Sequence, residues 1–283
     1  MSRALSSIRP SSPLPGWGLA TGVTVTMLSL VVLLPIAALL LRAAQVGPAE
    51  LWDVLSRERT RAALLLSFRA AFMAACFNLV FGLLLAWVLA RYHFPGRRLV
   101  DAAVDLPFAL PTAVAGIALT ALYAPNGALG GPLQDWFGLR VAYTEAGIWI
   151  ALVFVGLPFV VRAVQPVILE IEREVEEVSA TLGATRAYTL RRVVLPTLLP
   201  ALLTGFALSL ARAVGEYGSV IFIAGNLPNL TEIAPLLIVI RLDEFDYDGA
   251  VAIAVAMLGI SFAILLAINL VQVWSRRYEG ESA

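Results

Sequence analysis

The run Gly249-Ala-Val-Ala-Ile-Ala-Val-Ala-Met-Leu-Gly-Ile-Ser-Phe-Ala-Ile-Leu-Leu-Ala-Ile-Asn-Leu-Val-Gln-Val-Trp274 holds 26 residues without a single charge. A helix crossing the hydrocarbon core of a bilayer takes about 20 apolar residues, since a helix satisfies every backbone N–H and C=O within its own segment. The chain repeats this pattern. Residues 18–41 are 24 uncharged positions, 70–90 are 21 interrupted by Asn78, and 106–124 are 19 carrying Pro107 and Pro111. Residues 146–161 run on past Arg162 to Leu169, and 193–211 run on past Arg212 and Glu216 to about Ala224. The run 233–240 is too short to span and reads as an interfacial or half-buried piece of helix. These segments predict an all-α integral membrane protein with six transmembrane helices over 18–274. A cytoplasmic N-terminal segment, 1–17, and a cytoplasmic tail, 275–283, flank them.

Composition agrees. Hydrophobic residues make up 60% of the 283 and charged ones only 14%, against about 25% charged in soluble domains. The net charge is zero, so no global field draws nucleic acid to the chain. The single Cys76 cannot form an internal disulfide and reads as a buried, inert thiol. His93 has no Cys or His neighbour in sequence, so no metal is predicted. The basic residues are all arginine. A Walker A loop needs a lysine, so any ATP, with its Mg, belongs to another polypeptide, and no cofactor is expected on this chain.

Arginine placement sets the orientation, because the cytoplasmic loops of membrane proteins are richer in Arg and Lys. The two termini together with 91–98 and 162–192 carry 12 arginines, and the opposite loops carry 6. Both termini are therefore expected in the cytoplasm. Arg3 and Arg9 open the chain in the manner of a secretory signal. The apolar run behind them is longer than the roughly 7–15 residues of such a signal, so it reads as a retained anchor.

The most informative polar stretch joins the fourth and fifth spans: Glu170-Ile-Glu-Arg-Glu-Val-Glu-Glu-Val-Ser-Ala-Thr-Leu-Gly-Ala-Thr-Arg186, continuing to Arg191-Arg-Val-Val-Leu-Pro196. An acidic helix is broken at Gly183, where glycine supplies a positive φ. A basic helix then starts near Thr185 and enters the membrane at Leu195 and Pro196. The spacing of Glu177, Gly183, Val193, Leu195 and Pro196 resembles the EAA loop of bacterial ABC-importer permeases, over residues 170–196. Val178 and Ser179 stand where that family has two alanines, and Val193 where it has isoleucine. The resemblance implies a type I ABC importer permease fold. It also implies that Glu177, Val178, Ser179, Gly183, Ala184, Thr185, Val193, Leu195 and Pro196 dock on a separate ATPase.

Further runs are similar to sulfate/thiosulfate importer permeases of the T type. They are Arg91-Tyr-His-Phe-Pro-Gly-Arg97, Asp105-Leu-Pro-Phe-Ala-Leu-Pro-Thr-Ala-Val-Ala-Gly116, Pro158-Phe-Val-Val-Arg-Ala-Val-Gln-Pro166 and Arg212-Ala-Val-Gly-Glu-Tyr-Gly218. The similarity covers roughly residues 20–275. It implies a second, homologous permease subunit, two ATP-binding subunits and an extracytoplasmic sulfate/thiosulfate-binding protein, in a bacterial inner membrane. Molybdate and tungstate permeases share the Gly-Glu-aromatic-Gly run, so those oxyanions stay open. An ion-coupled secondary carrier is the alternative of a different class, and the 170–196 loop argues against it.

A charge near mid-bilayer costs about 2.5–3.5 kcal/mol on insertion scales, which makes each intramembrane charge a functional candidate. Arg212 is the strongest, as an oxyanion ligand or as a structural partner of Glu216 four residues on. Tyr217 and Ser219 are expected to add neutral hydrogen bonds, and Pro111 and Thr112 to expose broken-helix backbone on the same path. Arg162 fits either that path or snorkelling to the cytoplasmic surface. Arg69 reads as an outer snorkelling residue.

The orientation has a direct check. In a Cys76→Ala background, a cysteine at Asn229 is expected to react with an impermeant thiol reagent from outside, and one at Ala184 only from inside. The reverse labelling pattern inverts the topology.

Overall fold

A computed structural model describes residues 16–280, with side chains described except at 173, 175, 176 and 273–280. The expected cytoplasmic ends at 1–15 and 281–283 lie outside the described residues. The chain forms α1 (Trp17–Val46), α2 (Pro48–Ser56), α3 (Glu58–Arg91), α4 (Arg97–Val104), α5 (Leu106–Ala109), α6 (Thr112–Tyr123) and α7 (Gly130–Phe137). It continues with α8 (Glu145–Glu170), α9 (Arg173–Thr181), α10 (Arg186–Val214), α11 (Val220–Ile223), α12 (Ala234–Asp243) and α13 (Tyr247–Gly280).

Five of these helices, α1, α3, α8, α10 and α13, are long and apolar enough to cross a membrane. The expected third span, 106–124, is broken at its prolines into α5 and α6, with α4 preceding it, and α6 is a short apolar helix of its own. Two prolines make the joint. Pro107 opens α5, and Leu110, at φ −87° and ψ 134°, is extended as a residue before proline prefers. Pro111 then caps the start of α6.

Prolines also explain two π-helical turns. Pro35 and Pro196 lack the N–H that would bond four residues back. The chain widens just before each, over Ser29–Leu33 and Leu190–Val194. Leu195 N–H accordingly bonds the Leu190 carbonyl, five residues back.

The centre of the fold is α3, α8 and α10, which pack on one another along their lengths. Without water there is no hydrophobic drive between helices in lipid, so small residues and interhelical hydrogen bonds hold them. Here a Cβ on Gly82 would lie 2.8 Å from Val160 Cγ1, and one on Gly205 would lie 2.9 Å from Val160 Cα. At Gly156 all three helices meet: a Cβ there would strike Ser209 Oγ at 2.5 Å and Asn78 Nδ2 at 2.6 Å. Asn78 donates to Ser209 Oγ over 3.2 Å, both residues being buried. Outside this trio, α12 packs on α3 and α13, as a half-buried piece of helix should. Its first N–H, from Ala234, is taken by Ser67 Oγ at 2.8 Å. By contrast, the apolar window of α1 has no residue buried within the chain.

The fifth span differs from its sequence reading. It ends at Val214 rather than running to Ala224, with Gly215 at its C-cap. Past it, the Glu216 carboxylate accepts the Ser219 N–H and Oγ–H, both at 2.9 Å, and so stands in for the helical carbonyl. The chain turns, and α11 restarts at Val220.

The Gly156 contact sets an expectation. Gly156→Leu is expected to cost at least the 1–3 kcal/mol of roughly typical overpacking, read as a lower unfolding temperature and lower yield in detergent. Gly22→Leu, at a glycine with nothing within 4 Å, is expected to match the parent. Equal behaviour of the two variants would rule out the three-helix packing.

Candidate functional site

The 170–196 segment is a helix–turn–helix offered to solvent. At its upstream end Arg91 donates to the Ile171 carbonyl at 3.0 Å, fastening the exit of α8 to the end of α3. Helix α9 closes as a Schellman turn. Ala184 N–H bonds Ser179 O and Gly183 N–H bonds Ala180 O, both at 3.0 Å, with Gly183 at φ +82°. Thr185 then caps α10, its Oγ1 accepting Tyr188 N–H at 3.3 Å. Glu177 is exposed and Ser179 half-buried. Val193, Leu195 and Pro196 fall at the π turn and its exit. The sequence reading passed over Leu182, which is 83% exposed and lies one helical turn beyond Val178, 57% exposed. An exposed apolar pair at i,i+4 shares one face, and that spacing was the available signal. Behind the segment, a cavity of about 760 Å³ lies between α3 and the start of α10, with Glu177, Ala184 and Leu195 on its lining.

A second cluster sits at the end of α10. Arg212 Nη1 lies 2.6 Å from Glu216 Oε2, and Glu216 is buried to 2% exposure. A buried carboxylate needs both a charge partner and hydrogen bonds, and Arg212 with Ser219 supplies them. The jointed span leans on this turn. A Cβ on Gly218 would lie 2.2 Å from Thr112 Oγ1, and one on Gly116 would lie 2.4 Å from Ser219 O. Thr112, next to Pro111, thus lies against the turn that holds Glu216 and Ser219 beside Arg212. Tyr217 is half-buried and packs on the apolar core of the same region. Ser219 departs from its expected role: fully buried, with its hydroxyl proton given to Glu216, it shapes the carboxylate and offers nothing to a passing ion.

Arg162 also departs. It belongs to a separate cluster, with Nε and Nη2 gripping Asp105 at 2.8 and 2.7 Å. Its Nη1 donates to Asp101 Oδ1 at 2.8 Å and Gln165 Oε1 at 2.6 Å, and Nη2 also reaches Asp101 O at 2.9 Å. A guanidinium has five N–H donors, and all are taken, so this arginine has no donor left for an anion. Arg212 contrasts with it. Among the described residues its one ion pair is that with Glu216, and its side chain keeps 35% exposure. Arg69, expected to snorkel, instead pairs with Glu145 at 2.6 Å.

Register gives the depths. Gly156 faces Ser209 and Gly205 faces Val160, so α8 and α10 are antiparallel and Arg212 lies level with about residue 153 of α8. Arg162 and Arg212 are then about 7 Å on either side of the α8 midpoint at roughly 1.5 Å per residue. With the bilayer centred on that midpoint, both fall inside a hydrocarbon half-thickness of about 15 Å.

A bundle with charges at that depth and a jointed span is a membrane transport subunit. The family model for the binding-protein-dependent transport system inner membrane component matches residues 78–278, and the chain belongs to that family. The fold is that of a type I ABC importer permease. Among relatives, the sulfate transport system permease protein CysT of Salmonella typhimurium is 50% identical over 259 residues, covering 92% of this chain and 93% of that protein. The CysT protein of Synechocystis is 46% identical over 259 residues, covering 92% and 90%. Among solved structures, a bacterial ABC transporter that imports the acidic polysaccharide alginate superposes with a TM-score of 0.72 at 18% identity, over 93% of this chain and 96% of that one. The inward-facing MetNI methionine transporter gives 0.57 at 20% identity, over 75% and 94%. These two likenesses bear on the fold alone.

Proposed function

We propose that this chain forms half of the membrane path of an ATP-driven importer of sulfate and thiosulfate. It pairs with a second, homologous permease subunit and works with two ATP-binding subunits that carry ATP and Mg. A sulfate/thiosulfate-binding protein delivers substrate from outside. The complex sits in a bacterial inner membrane with both termini in the cytoplasm, and this subunit is non-catalytic. The substrate class is supported by near-full-length similarity to proteins named sulfate transport permeases. The observation that carries the mechanism is Arg212, a guanidinium at membrane depth with donors to spare and a buried carboxylate beside it.

A lone arginine in a dry path would hold a dianion too firmly, since opposite charges attract more strongly as the dielectric falls. Conduction needs a site that binds enough for entry and weakly enough for release. Glu216 offsets Arg212, and Arg212 exchanges between Glu216 and the passing oxyanion as the helices rock. The 170–196 segment, with Val178 and Leu182 outward, docks on the ATPase.

Uptake of labelled sulfate by the assembled complex, with thiosulfate, molybdate and tungstate as competitors, tests the substrate. Molybdate outcompeting sulfate would sink that assignment. Arg212→Ala is expected to assemble and to lose uptake more than tenfold. Glu216→Gln, which keeps an acceptor for Ser219, is expected to retain anion more firmly and turn over slowly. Near-normal uptake in well-assembled Arg212→Ala would end the proposal. For docking, Gly183→Val forces a β-branched residue to positive φ, a cost of about 1–2 kcal/mol. The variant is expected to insert but to retain less ATPase on purification, and full retention with normal transport would refute the docking role.

A further inference from the structure

The Arg162 cluster sits where three moving parts meet. Its helix, α8, leads within a few residues into α9, the outward half of the 170–196 segment. Its main grip is on Asp105, the residue between α4 and α5, where the jointed span bends. It also holds Asp101 by side chain and by carbonyl, one turn earlier. Just past the bend, the first turns of α6 rest on the turn that shapes Glu216, through Gly116 against the Ser219 backbone and the Thr112 side chain against Gly218. Between the two holds lie Pro107, the extended Leu110 and Pro111, where the helical hydrogen-bond ladder is already interrupted and the chain bends.

A forked guanidinium with every donor engaged fixes orientation as well as distance, which a lysine ammonium would not do. One arginine facing two aspartates also leaves the cluster an excess carboxylate.

We infer that Arg162 is a positioning residue for transport. By clamping Asp101 and Asp105 to α8, it makes the jointed span follow α8, and the start of α6 carries that displacement to the Arg212–Glu216 turn. This rests on the reading of the chain as an ATPase-coupled importer. It adds that the link from the docking segment to the anion site runs through α4–α6 as well as directly along α10. Loss of the clamp should leave docking intact and disconnect it from the site.

The test uses the whole complex, reconstituted with its binding protein. Arg162→Lys keeps the charge and loses the fork, and Asp105→Asn keeps the shape and weakens the grip. Both are expected to assemble, to retain ATPase and to hydrolyse ATP within about twofold of the parent. Sulfate carried per ATP is expected to fall about tenfold. The exchange Arg162→Asp with Asp105→Arg is expected to recover part of that ratio, a rescue that a generally weakened fold would not give. An unchanged transport-to-ATP ratio in the assembled variants would overturn the inference. So would failure of both single variants to assemble, which would make the cluster a folding contact. If the parent complex itself neither binds an ATPase nor carries sulfate, the underlying function fails instead, and the two failures are distinguishable.

Discussion

At Gly156, three helices come so close that a single methyl group would collide with Asn78 on one side and Ser209 on the other. That contact governs the arrangement of the rest. In lipid, helices gain little by hiding apolar side chains from one another, so close approach of backbones and a few buried hydrogen bonds must hold them. Gly82 and Gly205 extend the contact along α3, α8 and α10. With the trio fixed, the register between α8 and α10 is fixed, and with it the depth of every charge those helices carry.

The two deep arginines show how the same side chain takes opposite roles. Arg162 is saturated by Asp101, Asp105 and Gln165 and acts as a mechanical tie. Arg212 has a buried partner on one side and exposure on the other, the condition for a group that trades partners. Glu216 links this chemistry to the fold. Its second oxygen closes the turn after α10 by accepting twice from Ser219, so carboxylate position and helix end are one feature. Another charge pair anchors the end of the bundle where α3 begins. Arg59 grips Glu232 through two hydrogen bonds of 2.8 and 2.7 Å, with the Glu232 side chain 1% exposed, and so seats the loop before α12.

Exposed apolar surface has two distinct characters in this chain. Along α1 it is spread around the helix, as suits a face in contact with lipid. At the end of α9 it comes from Val178 and Leu182, set in a charged segment, as suits a small docking face.

The sequence by itself determined the membrane spans, because hydropathy and helix length are properties of contiguous residues. It determined the joint in the third span, because proline acts on its own dihedral and its neighbour's, and the turn at Gly183, because only a local positive φ is required. It also placed α12 as too short to span. Tertiary structure alone decided which arginine is free. Arg162 meets Asp105 across 57 residues and Asp101 across 61, and Arg59 meets Glu232 across 173, separations at which no local pattern signals a contact. It decided the end of α10 too. The apolar run to either side of Arg212–Ser219 reads as one helix, and a carboxylate folded back onto Ser219, with Thr112 and Gly116 pressed against the turn, stops it there. Saturation of a donor is a property of the space around it, and that space is filled by residues far away in the chain.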